Sequence, residues 1–573
     1  MRHVLSGNAA ARGSALGRAR VRLPHALAVE ETRIEQHEVE SELARIHEAV
    51  ASVRAEMRAL RDRLHGALAH EVGEFLDLHA LLLDDPELLQ GIDELIRTGR
   101  FSADYALRLQ RDRIAAVFEG IDDPYLRSRI DDIDQVIGRL HAALHNHEAE
   151  LLGVAGEILV TDNIAPTDLA QLQAQGVLGV VTATGSALSH SAILARSLHL
   201  PLVVGAAQVL QRVNDGDVLV IDGATGLVVM EPNAADLRAH HARTQAGKRE
   251  RRVLNRLRRE PSRTRDGVDI KLWTNAESRE DVAEAHALGA AGVGLYRTEF
   301  LFMGRGEVPD EETQFLAYRD LAIGMTGRTV TIRTLDLGAD KADRTGLALR
   351  NEPNPALGLR GVRLSLSRAG LLRTQLRAIV RASGYGPVRA LVPMVSGAEE
   401  MRTVRVVLRE VIAELRSEGH EIADQLPLGA MIEVPSAALS LSGFIGNCDF
   451  LSIGTNDLVQ YLLAADRNND ALGDLYTPLH PAVLRLLHDV VRLANRRGRP
   501  VAVCGEIAGD AAFVPLLLAL GLTELSLHPA TLLEVRRAIR GSDLSQLRER
   551  APALLRARDR AGIEAWLKAN TAT

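Results

Sequence analysis

Arg297, Arg333 and Arg467 are planar cations, and a guanidinium grips phosphate or carboxylate oxygens two at a time. Glu433 and Asp457 are hard oxygen donors, enough for a Mg2+ that keeps its waters and binds a substrate's own oxygens. Asn456 can donate to an anion, and Cys504 is a lone thiol able to act as an acid or a nucleophile. Each of these side chains except Arg467 stands where a short β-like run stops. The stops read Arg297-Thr298-Glu299, Arg333-Thr334-Leu335-Asp336, Glu433-Val434-Pro435, Gly454-Thr455-Asn456-Asp457 and Cys504-Gly505-Glu506. A single charged residue after a strand is ordinary loop chemistry. A series of strands ending in complementary groups calls for a shared site.

The elements that must position these groups are β-like runs alternating with helical stretches beyond Asp266. The runs cover 270–274, 292–297, 329–333, 389–393, 429–434, 450–454 and 501–504, with a further candidate at 522–527. Such alternation over about 300 residues predicts a (β/α)8 barrel of the TIM type, in which all C-terminal strand ends share one rim. A doubly wound sheet is the second choice, weakened because no glycine-rich nucleotide loop follows the first run. Arginines, one divalent cation and a proton donor on one rim describe a small phosphorylated carboxylate whose product needs a proton. Phosphoenolpyruvate fits, because losing its phosphoryl group leaves an enolate. The competing reading has the arginines and acids forming rim salt bridges, with Cys504 merely buried.

A phosphate clamped on the barrel needs a nucleophile, and the stretch from Thr184 to Arg196 offers one. It follows a β-like run at 177–181, turns at Gly185 and opens a helical segment with Ser189-His190-Ser191. A helix start favours a bound anion, and imidazole is nucleophilic at neutral pH. A histidine there is more often a cap or a surface residue, and only the downstream phosphate chemistry argues otherwise. His190 lies in an expected α/β unit of short strands formed by 1–24 and 151–232. Residues 25–150 read as an inserted helical bundle, in which Phe75, Leu78 and Leu82, then Leu88, Ile92 and Leu95, recur at helical spacing. Asp85 and Pro86 punctuate it. The acidic, Leu-rich stretch from His79 to Leu89 reads as solvated bundle face or as a docking face for a small basic protein. Residues 233–265 read as a helical linker, Arg-rich from Lys248 and solvated. Residues 266–573 make up the barrel.

Composition narrows the classes. The chain has 573 residues, too many for one core, with 46% hydrophobic and 25% charged residues. Aromatic content of 3% and a net charge of −7 argue against nucleic-acid binding. No apolar run of about 18 residues and no signal peptide is found, so no membrane role is expected. The two cysteines, Cys448 and Cys504, fit a reducing, cytoplasmic setting.

These motifs together resemble Enzyme I of the bacterial phosphotransferase system, the phosphoenolpyruvate–protein phosphotransferases, over essentially the whole chain. The resemblance rests on Ser189-His190-Ser191 with Ala195-Arg196-Ser197-Leu198, and on Gly292-Val293-Gly294-Leu295-Tyr296-Arg297-Thr298-Glu299-Phe300-Leu301-Phe302-Met303. It also rests on Asn354-Pro355-Ala356-Leu357-Gly358-Leu359-Arg360, on 449–460 with Ala465-Asp466-Arg467, and on Cys504-Gly505-Glu506-Ile507-Ala508-Gly509-Asp510. It implies that His190 is phosphorylated and Cys504 is the proton donor. Arg297, Arg333, Arg360, Asn456, Asp457 and Arg467 would hold phosphoenolpyruvate, and Glu433 and Asp457 would hold Mg2+. The helical insertion would dock HPr, whose histidine accepts the phosphoryl group, the first step of sugar uptake by this system. The barrel domain would form a homodimer. Two positions depart from the family pattern. Its Gly-Gly-x-Thr-Ser-His reads Gly185-Ser186-Ala187-Leu188-Ser189-His190, and its Gly-Gly-Asp-Lys reads Gly338-Ala339-Asp340-Lys341. Phosphoenolpyruvate synthase and pyruvate phosphate dikinase resemble the same pairing of domains but need a nucleotide-binding domain ahead of the histidine, for which 1–150 is too short and too helical. A catalytically idle scaffold is the remaining alternative, and the intact set His190, Arg297, Glu433, Asp457 and Cys504 argues against it.

Overall fold

The computed structural model describes residues 2–22, 31–63, 79–80, 82–83, 85–119, 124–145, 154–187, 189–198, 200–302, 307–338, 347, 352, 354–467, 472 and 475–571. Two compact units divide the chain, 1–250 and 251–573.

The first unit holds an eight-stranded sheet in the order β1-β8-β7-β3-β4-β5-β6-β2. Its strands are β1 (His3–Ser6), β2 (Asn8–Ala11), β3 (Ser14–Arg22), β4 (Glu157–Thr161), β5 (Gly179–Thr182), β6 (Leu202–Val204), β7 (Val218–Asp222) and β8 (Leu227–Met230). Parallel strands β3 to β6 form the centre, and β4, β5 and β6 are nearly continuous apolar runs because both faces are covered. The remaining pairs are antiparallel, including the hairpin β7–β8 around Asp222.

Sequence patterning indicates an N-terminal strand only near Ala19, yet β1 and β2 also form. Each is only four residues long, His-Val-Leu-Ser and Asn-Ala-Ala-Ala, too short to specify a strand alone, and pairing to β8 and β6 supplies the partner. One residue, Gly7, joins these strands, although they occupy opposite ends of the sheet order. The sheet therefore rolls until its two edges meet at Gly7. A Cβ there would lie 2.6 Å from the Val204 carbonyl oxygen, so only glycine fits.

Between β3 and β4 the chain forms helices α1 (Val39–Arg63), α2 (Pro86–Arg97), α3 (Ala103–Glu119) and α4 (Pro124–Leu144). Asp85 caps α2 by accepting from the Glu87 N–H at 2.8 Å, and Pro86 occupies its first turn. Leu88, Ile92, Leu95 and Ile96 are buried. In the stretch from His79 to Leu89, His79, Leu83 and Leu88 face the core and Asp85, Pro86 and Glu87 face solvent. The surface reading of that stretch therefore holds for its acidic residues and fails for His79, Leu83 and Leu88. Phe75, Leu78 and Asp84 lie outside the described residues. Further helices are α5 (Pro166–Gln175), α6 (His190–Ser197) and α7 (Ala234–Arg256), the last exposed through its Arg-rich end.

The second unit is a closed barrel of parallel strands β9 (Lys271–Ala276), β10 (Gly292–Tyr296), β11 (Thr329–Arg333), β12 (Val388–Val392), β13 (Leu428–Ile432), β14 (Phe450–Ile453), β15 (Val501–Val503) and β16 (Glu524–Leu527). Each overlaps a run read from sequence, and the final, least certain run closes the barrel against β9. Leu295, Leu391, Met431, Phe450 and Cys504 form an apolar cluster. Arg389 stacks 4.7 Å from the Trp273 ring and 4.1 Å from the Phe450 ring.

Helix α8 (Arg279–Ala287) ends next to the buried Arg536. The Arg536 guanidinium donates to the carbonyls of Leu257, Arg258, Leu288 and Gly289 at 2.6–3.0 Å and to Ser262 Oγ at 3.0 Å. It gathers carbonyls from two helix ends, and of these carbonyls only that of Leu257 also accepts from a backbone N–H, that of Glu260. Arg536→Met should destabilise this unit by about 3 kcal/mol, with Arg536→Lys in between. Guanidinium unfolding curves of the variants check this, and unchanged midpoints would remove Arg536 from this role.

Candidate active site

The C-terminal ends of the barrel strands carry a connected ion-pair network. Arg333, the last residue of β11, is 8% exposed. It donates to Glu299 Oε1 at 3.0 Å and pairs with Asp336 Oδ2 at 3.1 Å. Asp336 in turn takes a forked contact from Arg360, at 3.2 Å from Nε and 3.1 Å from Nη2. Arg360 also reaches Asp457 Oδ2 at 3.8 Å and donates to the Tyr461 hydroxyl at 3.3 Å. Burial works to raise the Asp336 pKa, but Arg333 and Arg360 outweigh it and hold the carboxyl ionised. Arg297, just after β10, pairs with Glu277 at 2.5 Å and keeps a half-open side chain. Register shifts in β10 between Val293 and Tyr296 re-aim the chain just before it.

Glu433 follows β13 and is 1% exposed. Burial, followed by the charges of Asp336 and Asp457, raises its pKa above the usual carboxylate range. Its Oε1 accepts from the Met394 N–H at 2.6 Å. The carboxylate lies flat against the next strand end, because a Cβ at Gly454 would sit 2.7 Å from Glu433 Oε2. Asp457 Oδ1 and Arg333 Nε are buried and lack hydrogen-bond partners among the described residues. An orphaned acceptor and an orphaned donor in one network fit a site for a hard cation together with an anion. Glu433 and Asp457 are the donors that would hold such a Mg2+, since its charge would offset the burial and then the repulsion that raise Glu433.

Asn456, in the first turn of the helix Thr455–Leu463, donates to Glu506 Oε1 at 2.9 Å and accepts from the Glu506 N–H at 3.0 Å. Arg467 stands exposed, outside the buried network, with its N–H held by Gln460 at 3.2 Å. Its charge is nonetheless felt by Tyr476, which donates to the Asn456 carbonyl at 3.1 Å. Cys504 follows β15 inside the apolar cluster, 5% exposed, with Sγ 3.4 Å from the Ile453 carbonyl. Burial pushes its pKa up to about 11, so the thiol carries its proton at neutral pH.

In the first unit, His190 is the first residue of α6, capped by Ser189, whose Oγ accepts from the Ala192 N–H at 3.3 Å. Ser191 Oγ donates to the Ile164 carbonyl at 2.7 Å. Arg196 donates to the carbonyls of Ala10 and Ala187, tying the loop before His190 to β2. Thr184 Oγ1 donates to the Asp162 carbonyl at 2.9 Å and fixes the loop's other end. Leu188 lies outside the described residues.

Glu277 and Asn275 are not among the residues read as chemical from sequence. The run read as 270–274 stops short of them, whereas β9 continues to Ala276. Asn275 donates to the Cys504 carbonyl at 3.1 Å and accepts from Ser526 at 2.7 Å, so it positions the thiol-bearing turn. The rim salt bridges of the competing reading are present as well, since Glu277, Glu299 and Asp336 each hold an arginine.

Comparison with known proteins accords with this geometry. Residues 251–544 match the family described as PEP-utilising enzyme, PEP-binding domain. Residues 6–129 match PEP-utilising enzyme, N-terminal, and residues 153–226 match PEP-utilising enzyme, mobile domain. A phosphoenolpyruvate-protein phosphotransferase of Cupriavidus necator is 43% identical, with 98% of this chain and 98% of that protein aligned. One from Geobacillus stearothermophilus is 39% identical over 94% of this chain and 93% of its own length. One from Staphylococcus aureus is 37% identical over 96% of each. With relatives of one kind aligned over nearly their whole length at 37–43% identity, the chain belongs to the phosphoenolpyruvate-protein phosphotransferase family.

Proposed function

We propose that the barrel rim binds phosphoenolpyruvate and that a ring nitrogen of His190 takes its phosphoryl group, releasing pyruvate. The observation that carries this reading is the pairing of the Arg333–Asp336–Arg360 network, with its open Arg333 Nε and Asp457 Oδ1, and a buried, protonated thiol at Cys504. Arg297, Arg333, Arg360 and Arg467 hold the phosphate and carboxylate by sharing the acids that already pair with three of them, and Asn456 adds a donor. Glu433 and Asp457 would hold a Mg2+, which would supply positive charge to the bound anion. As the histidine nitrogen bonds to phosphorus, the phosphorus–oxygen bond breaks and its electron pair forms the enolate. Cys504 gives its proton to the enolate carbon, and solvent restores the proton to the thiolate. The phosphoryl group then passes to a histidine of HPr docked on the helical insertion, the entry step of sugar phosphotransfer. The enzyme works as a cytoplasmic homodimer formed through the barrel unit. Among the described residues no helix is long and apolar enough to cross a membrane, and both cysteines are free and buried.

Labelled phosphoenolpyruvate with Mg2+ should mark the protein on an acid-labile, base-stable histidine, and transfer of that label to HPr should follow. Label persisting in His190→Ala would sink the assignment. Cys504→Ala should lower kcat by about 10²–10⁴-fold while phosphoenolpyruvate binding stays within a few-fold, because the thiol acts on the enolate rather than on the anion. An equal loss of binding would assign Cys504 to the clamp. At pH 8 a thiol of pKa about 11 is ionised in roughly one molecule in a thousand. Alkylation of native Cys504 by iodoacetamide should therefore be slow and gain about tenfold per pH unit up to about pH 11. A rate already flat at pH 8 would show a thiolate and contradict the acid role.

A further inference from the structure

We propose that Asp104, His141 and His145 form a binding site for a divalent transition metal of the zinc, nickel and cobalt class, separate from the barrel rim. His141 and His145 stand one helical turn apart at the C-terminal end of α4, with ring centroids 4.8 Å apart. Asp104 is in the first turn of α3. The Asp104 Oδ1 lies 2.8 Å from His145 Nε2 and 3.8 Å from His141 Nε2. One ligating atom from each of the three residues falls within 4.8 Å of the others. A tetrahedral ion with bonds of about 2.0–2.1 Å sets its ligands about 3.3 Å apart, so small side-chain rotations close the set.

The local field favours a cation. The α4 terminus presents the negative end of its dipole to the site. From α1, Glu42 holds Arg45 at 2.6 Å, whereas Arg45 reaches Asp104 only at 3.6 Å. Glu42 thus keeps Arg45 while Asp104 turns to the metal. With neutral imidazoles, these charges leave the site net negative before the ion arrives. An open cavity of about 520 Å3, also lined by Thr32, Ile34 and Ser102, leaves room for a fourth ligand such as water. Two imidazoles and one carboxylate select against Mg2+ and Ca2+, which take oxygen ligands. Because α3 ends at Glu119 and α4 begins at Pro124, the ion would tie the opposite ends of this helical pair.

The test uses the untagged, chelator-stripped full-length protein, titrated with Co2+ in excess Mg2+. One equivalent of Co2+ should produce visible d–d bands of a low-symmetry site, and stoichiometric Zn2+ should quench them. The bands should survive in a Glu433→Gln/Asp457→Asn variant, which removes the hard-oxygen pair. His145→Gln and His141→Gln, each with unchanged far-UV circular dichroism, should weaken Co2+ binding at least tenfold, and so should Asp104→Asn. No bands, or bands lost only in the Glu433→Gln/Asp457→Asn variant, would overturn the proposal and leave an ordinary His145–Asp104 ion pair. Full affinity in Asp104→Asn would overturn the three-residue set.

Discussion

Everything at the barrel rim depends on placing Arg333 where water does not reach. A buried guanidinium is costly unless its charge and donors are matched, and Asp336 and Glu299 match it on two sides. Asp336 then has to serve Arg360 as well, and that draws the segment before the helix Gly361–Ser367 onto the rim. The acids cannot satisfy every donor, and the donor left over points to an anion as the missing partner. Glu433 bears the opposite stress. Burial and then its neighbours of like charge leave it short of positive charge, so one rim asks for an anion and a cation together.

The sheet unit solves a different problem. Its histidine begins a short helix, and a short helix has little stability of its own. Stability comes instead from Ser191 bonded to the Ile164 carbonyl and from Arg196 bridging the preceding loop to β2. The position of the histidine backbone is thereby set by the sheet rather than by the loop that carries Ser186 and Ala187. This explains how the loop can depart from the family's glycine and threonine pattern without losing its frame.

Much of this was legible in the sequence, and the reasons differ by element. Barrel strands are mostly buried, so each reads as a short, largely apolar run that ends in polar residues; all eight could be read, although Thr331, Arg389 and Ser526 interrupt theirs. Helix α2 could be read because its cap, its proline and its period agree. Strands β1 and β2 could not, since His-Val-Leu-Ser and Asn-Ala-Ala-Ala have no pattern that requires a strand until β8 and β6 lie beside them. At the rim the charged residues were visible, but their partners were not. Which acid meets which arginine is a contact between segments far apart in the chain, and Asp336 with Arg360 spans an excursion that no local spacing encodes.

The seam at Gly7 has a consequence for biosynthesis. His3 pairs with Met230 and Asn8 with Val204, so β1 and β2 find their partners only when residues 227 and 196 positions further along have been made. The helical insertion, whose contacts are local, can form during that interval, while the sheet that carries His190 stays unclosed. Chain order therefore delays closure of this sheet until the insertion between β3 and β4 is already synthesised.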